Sequence, residues 1–351
     1  MHLDRSFRIT SLLFATLTAF SGAALAHPAG GAQVCTLASA AAGQPGTLIC
    51  KSTVTGATTQ SIAIGNTVFG SGGIGGALSR RGDSVLVTDI AGGAMLFDES
   101  HGRLVHRVQL NTGGEDSVSG AIGAGGAYVL TRTHLMFFPR GHTTAASIAD
   151  LMIGDGSAAQ VALAGGHAYV AEKSGSLEAF ALGTDGKLEG VATSVTGIPA
   201  GTIVGITGLD DLVVAPVAHL ASNSNQAAVP VASGYTAVQL VATKEVAACW
   251  AANDSGEVCI TNPGSMTVSC GHFGPGGFTT YTSAAANPVG ESVLDLDMRH
   301  GIVGILGVHN GARVLMVYAH SDEDSDFLTS IREVAVGSPM ATGALLLPPV
   351  R

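Results

Sequence analysis

The chain has 351 residues, 46% of them hydrophobic and only 12% charged, with a formal net charge of -10 at pH 7. This balance excludes nucleic acid and anionic membrane as partners, because either needs a basic footprint and no Lys/Arg cluster exceeds Arg80-Arg81. The 49 glycines have no collagen period, and in a chain rich in Val, Ala and Leu they signal many turns.

In chain order, Arg5 and Arg8 precede an apolar stretch from Ile9 to Leu25, broken by Thr16, Thr18 and Ser21 and ending in Ala24-Leu25-Ala26. That pattern reads as a secretory signal, residues 1–26, removed after Ala26; the alternative is an uncleaved N-terminal anchor. A span needs about 20 strongly apolar residues, and no later stretch supplies them. No Cys follows the cut to carry a lipid. The expectation is a secreted or periplasmic protein whose residues 27–351 form a single domain.

Five cysteines follow. In an oxidising compartment the simplest reading pairs Cys35 with Cys50 and one pair among Cys249, Cys259 and Cys270, with Cys259 and Cys270 as the candidates. The third thiol stays unassigned. No Cys-x-x-Cys spacing exists to hold a zinc ion.

Seven short apolar runs recur along the rest: Leu48-Ile49-Cys50, Val85-Leu86-Val87, Ala127 to Leu130, Ala168-Tyr169-Val170, Leu212-Val213-Val214, Val246-Ala247-Ala248 and Ile302 to Ile305. Most lie about 40 to 45 residues apart, the period of a four-stranded propeller blade. Continuous apolar runs suit a strand covered on both faces. The expected fold is an all-β, seven-bladed propeller of four-stranded antiparallel blades.

The first unit, Val34 to Gly70, is Thr-rich and degenerate. Gly70 to Gly76 follows it; a phosphate-binding glycine loop should open a helix, and here a strand comes next, so the segment reads as a connection between blades. The second unit runs from Ala77 to Leu110, and the third, Ala121 to about Leu151, carries Phe137-Phe138. The fourth, Gln160 to Val195, is the clearest: strands at Gln160–Leu163, Ala168–Ala171, Leu177–Leu182 and Leu188–Val195, the last two joined by a hairpin at Asp185-Gly186. The fifth, Ile203 to Val231, has a polar loop over Ala218 to Gln226. The sixth, Ala237 to Cys270, holds the cysteine trio and the only Trp, Trp250. Gly271 to Glu291 is the longest irregular segment and a natural place for a binding element. After the seventh unit, Val293 to Val334, a spare apolar strand remains, and Gly343 to Leu347 is expected to pair with the first unit and close the ring.

The run Gly166 to Glu172, then Gly175 to Leu182, then Asp185-Gly186-Lys187-Leu188, resembles a blade of the seven-bladed lactonase family, which includes phosphogluconolactonase and carboxymuconate cyclase. The resemblance covers one blade, with the rest matching in period and strand pattern. It implies a lactone-hydrolysing or lactone-forming site near the axis built from His, Glu and Arg.

In a propeller, the loops joining second to third strands and blade to blade open on one face. The sequence puts there Glu115, Asp116, Arg132, His134, Glu172, Lys173, His219, Asn253, Asp254, His272, Glu291, His309, Asn310 and Arg313. A His with a carboxylate can act as general base and an Arg can steady an oxyanion. Candidate catalytic residues are His134, Glu172, His219 and Arg313, and candidate ligand contacts are Arg132, His272 and His309. The bland reading is polar turn chemistry. Asp295 and Asp297 alternate to one side of the last blade's inner strand and are further ligand candidates, suited to a hard cation or to pairing with Arg299. Asp322 to Asp326 reads as a solvated acidic turn, and Asn253-Asp254-Ser255 as a glycosylation sequon on an exposed turn. No Gly-x-Ser-x-Gly, His-Glu-x-x-His or Walker loop is present, so no cofactor or metal is expected. The leading functional expectation is a binding module for a small molecule, carbohydrate or protein; the alternative is a lactonase-type hydrolase or cyclase.

Overall fold

A computed structural model of the chain describes residues 31–69, 76–219, 226–231, 235–243, 245–274, 277–278, 282–285, 291–320 and 328–350. Residues 1–26, most of the Gly70 to Gly76 segment and the Asp322 to Asp326 turn lie outside them. Every regular element among the described residues is a β-strand, and the strands form seven antiparallel sheets. Six have four strands; the sixth blade adds a fifth, because Gly277–Phe278 and Thr282–Ala285 both pair with Thr267–Gly274.

The innermost strands of successive blades, Met340–Leu347, Leu78–Arg81, Ser117–Ile122, Ala158–Ala164, Thr207–Leu209, Ala251–Asp254 and Ser292–Arg299, each pack against the next, and the last packs against the first. The ring is therefore a seven-bladed propeller. Met340–Leu347 pairs antiparallel with Gln33–Ser39, setting Leu346 opposite Val34 and Leu345 opposite Cys35. The chain's end thus supplies the first blade's innermost strand, as expected from the spare apolar segment. Closure in this way covers the edge that Gln33–Ser39 would otherwise expose.

Alternation within each strand explains why both faces of a blade are apolar. Val213 and Ala215 point toward the fourth blade and join Tyr169, Ala171 and Leu177, whereas Val214, between them, joins Val258 and Ile260 of the sixth. Leu86 likewise packs on Val129 and Phe138 of the third blade, while Val85 and Val87 pack on Leu48 and Cys50 of the first. A strand with period two and neighbours on both sides must be apolar at every position. Full burial of a side chain such as Phe180 contributes about 1.5–3 kcal/mol.

Two glycines serve this packing. A Cβ on Gly208 would lie 1.9 Å from the Leu163 carbonyl oxygen, so glycine lets the innermost strands of the fourth and fifth blades touch backbone to backbone. Gly186 takes φ 83° in the Asp185-Gly186 hairpin, and its carbonyl accepts the Tyr128 hydroxyl at 2.5 Å from the third blade.

One boundary differs from the sequence reading. Val246-Ala247-Ala248 is not the sixth blade's second strand; that strand is Glu257–Asn262, and Thr236–Ala242 is the outer strand of the fifth blade. Ala247 has φ 62°, a left-handed conformation that ends any strand there. The Val246 N–H donates to Ser265 Oγ at 2.5 Å and its carbonyl accepts the Gly264 N–H at 3.0 Å, which pins the segment to a neighbouring turn. Ala247 and Ala248 are buried, Ala248 fully so, and the run's apolar composition made it look like a strand.

Both expected disulfides are present, Cys35–Cys50 and Cys259–Cys270, each joining directly opposed residues of adjacent strands. Cys249 is a free thiol. Below, the side of the ring carrying the connections between second and third strands and between blades is the loop face; the opposite side is the turn face.

Candidate functional site

The seven innermost strands surround an axial channel of about 410 Å³ to which every blade contributes. Its polar lining comes from side chains that also hold blades together. Asn253 Nδ2 donates to Thr207 Oγ1 at 2.6 Å and to the Gly208 carbonyl at 2.9 Å, and Gln160 Oε1 accepts the Ile206 N–H at 2.6 Å. Hydrogen bonds of this kind fix each amide's orientation, which leaves Asn253 with its carbonyl oxygen and Gln160 with its NH₂ for a molecule in the channel.

Asp295 and Asp297 stand on the channel wall at alternate positions of Ser292–Arg299. Asp295 Oδ2 accepts N–H groups from Gly76 at 3.2 Å and Ala344 at 3.0 Å, and its Oδ1 accepts that of Leu296 at 2.8 Å. Asp297 Oδ2 accepts the Leu346 N–H at 2.7 Å. Matching two-residue steps on two strands produce this ladder. Burial pushes Asp295 up to about 7 against the opposing pull of its N–H donors. Burial likewise raises Asp297 to about 6, offset by the Leu346 and Met298 N–H groups and by Arg80 and Arg299. No group of three or more His, Cys, Asp or Glu side chains among the described residues is arranged to hold a metal ion.

The loop face carries three separate polar clusters. Glu172, in the fourth blade, is buried; Ser157 Oγ donates to its Oε2 at 2.7 Å, while Oε1 has no partner. Burial, with smaller help from Glu178 and Asp155, pushes its carboxyl up to about 7. The adjacent Lys173 is lowered by burial first and then by the charge of Arg132. In the third blade, His134 Nδ1 lies 2.8 Å from Glu115 Oε1 and its Nε2 3.2 Å from Asp150 Oδ1. Burial acts to raise Glu115, but hydrogen bonds from Thr131 and His134 hold it below the usual carboxylate value. In the seventh blade, His309 Nδ1 meets Glu333 Oε2 at 2.7 Å.

No model of a known protein family matches the chain, and no curated protein matches it. Solved structures do. A protein from Lactobacillus plantarum superposes with a TM-score of 0.62 at 14% identity, over 90% of this chain and 99% of its own. A chain in the crystal structure of the mitotic checkpoint complex matches with a TM-score of 0.57 at 11% identity, over 76% and 78%. A chain of the nidogen/laminin complex matches with 0.52 at 11%, over 75% and 98%. Likeness at this level of identity concerns the fold alone.

Of the residues expected on the loop face, His134, Glu172 and Arg313 belong to different blades and to separate surroundings. Arg313 is partly buried, and burial lowers its pKa. His219 sits, partly buried, just past the fifth blade's second strand, Leu212–Val217, and Arg132 is exposed. Asn253, Asp254 and His272 are on the turn face instead. Asn253 and Asp254 end an innermost strand, and His272 is opposite Glu257 in the register of the sixth blade. Their misplacement follows from the shifted boundary described above, which exchanged the sixth blade's first turn for a second-to-third connection. The sequon asparagine is consequently no exposed acceptor, since its Nδ2 is bound twice inside the ring. Sequence reasoning passed over Arg80, Gln160 and Thr207 as site residues. Arg80 and Arg299 do share a signal: each lies two residues before the glycine of its blade's first turn, Gly82 and Gly301.

Proposed function

We propose that this chain is a secreted propeller, residues 27–351 after loss of the signal, that binds a small polar ligand in its axial channel. The observation that carries the reading is the channel itself, a cavity fed by all seven blades and faced by amides already oriented by hydrogen bonds. Concave sites with a few fixed polar groups are where small ligands bind. Two disulfides support an oxidising compartment. The test is a thermal-shift screen with sugars, polyols and hydroxy acids. A channel ligand raises the melting temperature of the wild type and of neither Asn253→Leu nor Gln160→Leu. Shifts that survive both substitutions sink the reading, and recovery of a protein in place of any small ligand would transfer the function to the outer surface.

A second reading, hydrolysis of a lactone, is favoured by Glu172. A carboxyl that titrates near 7 with an unpartnered oxygen, beside Ser157, Lys173 and Arg132, has the properties of an acid–base group. It agrees with the resemblance of this same blade to the lactonase family. Turnover of a lactone panel that Glu172→Gln abolishes would establish it.

A further inference from the structure

On the turn face the channel opens into a second cavity, of about 380 Å³, walled by Arg80, Asn253, Asp297 and Arg299. Two guanidinium groups converge there from blades far apart in the chain. Arg80 belongs to the second blade's innermost strand, and Arg299 ends the seventh's. They are near enough that Arg299, after burial, is the leading influence pulling Arg80 below its ordinary value. Each keeps a buried nitrogen with no acceptor: Nε of Arg80 and Nη1 of Arg299.

The neighbouring acids offset the charge of Arg80 only in part. Glu99 Oε2 stands 3.7 Å from Arg80 Nη2, too far for a hydrogen bond, and its Oε1 accepts the Gly102 N–H at 2.6 Å. Asp297 Oδ2 accepts the Leu346 N–H, and Asp254 Oδ2 accepts the His300 N–H. Leaving a buried donor unpaired is costly, more so when it is charged, and like charges facing one another add to that. An anion held between the two guanidinium groups would offset the repulsion of their charges. The planar fork of a guanidinium matches two oxygens of a carboxylate or phosphate.

We propose that the turn-face mouth of the channel is an oxyanion site, in which Arg80 and Arg299 together clamp the carboxylate or phosphate group of a small acid. Arg299 faces this mouth and not the channel interior, so the site stands whether or not a neutral ligand occupies the channel. Asp297 is its built-in competitor: its carboxylate shares the cavity wall and its charge acts on Arg80.

The test is isothermal titration of the mature chain with inorganic phosphate and, separately, with succinate, at constant ionic strength set with chloride. Saturable uptake of at least one of them is expected, and the tighter of the two names the source of the oxyanion. Arg299→Gln should weaken it at least tenfold, and Arg299→Lys by less, because charge survives while the fork is lost. Asp297→Asn keeps an oxygen for the Leu346 N–H and should tighten binding several-fold. This opposite effect keeps the proposal testable even if a change at Arg80 prevents folding. Equal affinity in wild type and Arg299→Gln, weaker binding in Asp297→Asn, or no saturable uptake of either anion would overturn it.

Discussion

Asp295 Oδ2 accepts the backbone N–H of Ala344 at 3.0 Å, joining the seventh blade's innermost strand to the strand that closes the ring. The same oxygen also takes the N–H of Gly76, ahead of the second blade. One buried carboxylate therefore serves three consecutive blades where the chain's beginning and end meet.

Replacing Asp295 with Leu strips three backbone donors, the N–H groups of Gly76, Ala344 and Leu296, of their side-chain acceptor, at roughly 1–3 kcal/mol for each N–H left unpaired. Asp295→Asn retains an acceptor and should lose less. Urea midpoints of the two variants will show the difference; equal midpoints would mean that the seam does not depend on this side chain.

Deleting residues 340–351 removes the first blade's innermost strand and bares the edge of Gln33–Ser39. The truncated chain should lose its single cooperative thermal transition and become sensitive to protease. A truncation that melts as the full chain does would contradict the closure.

Glu172 gives a pH signature. Its carboxyl titrates at about 7 in the fold against an ordinary value of 4.5, so over that window the native state keeps a proton that the unfolded chain releases. Stability from this group is full below about 4.5 and is lost as pH rises through 7. Glu172→Gln should flatten this part of the profile. A lactonase working through this carboxyl would also lose turnover in Glu172→Gln, whereas a channel-binding protein keeps its ligand in that variant.

The cysteines make a further chemical test. Burial pushes the Cys249 thiol up to about 12, so it is protonated at neutral pH and should resist iodoacetamide in the native state, since the thiolate is the nucleophile. Unfolding without reductant should expose one reactive thiol per chain, and added reductant five. Each disulfide closes a short loop, 15 and 11 residues apart, for which stabilisation of about 3 kcal/mol is expected.

The blade pattern was legible because it is local. Gln160 to Val195 carries its own strands and turns, and the observed strands Ala158–Ala164, His167–Glu172, Leu177–Leu182 and Leu188–Ser194 follow them closely. Legibility failed at Val246-Ala247-Ala248, since an apolar connection buried between blades has the composition of a strand. The same error carried Asn253 and His272 to the wrong face.

Repetition, turn chemistry and the unpaired apolar tail were enough, by themselves, to specify a closed ring of four-stranded sheets. Only the tertiary structure decided which side chains share the axis. Arg80 and Arg299, or Asp295 and Gly76, are more than 200 residues apart, and each pair meets only because the seventh blade returns to the second through the closing strand. Neither local propensity nor period encodes that meeting: it arises from the number of blades and the register at which the last strand docks.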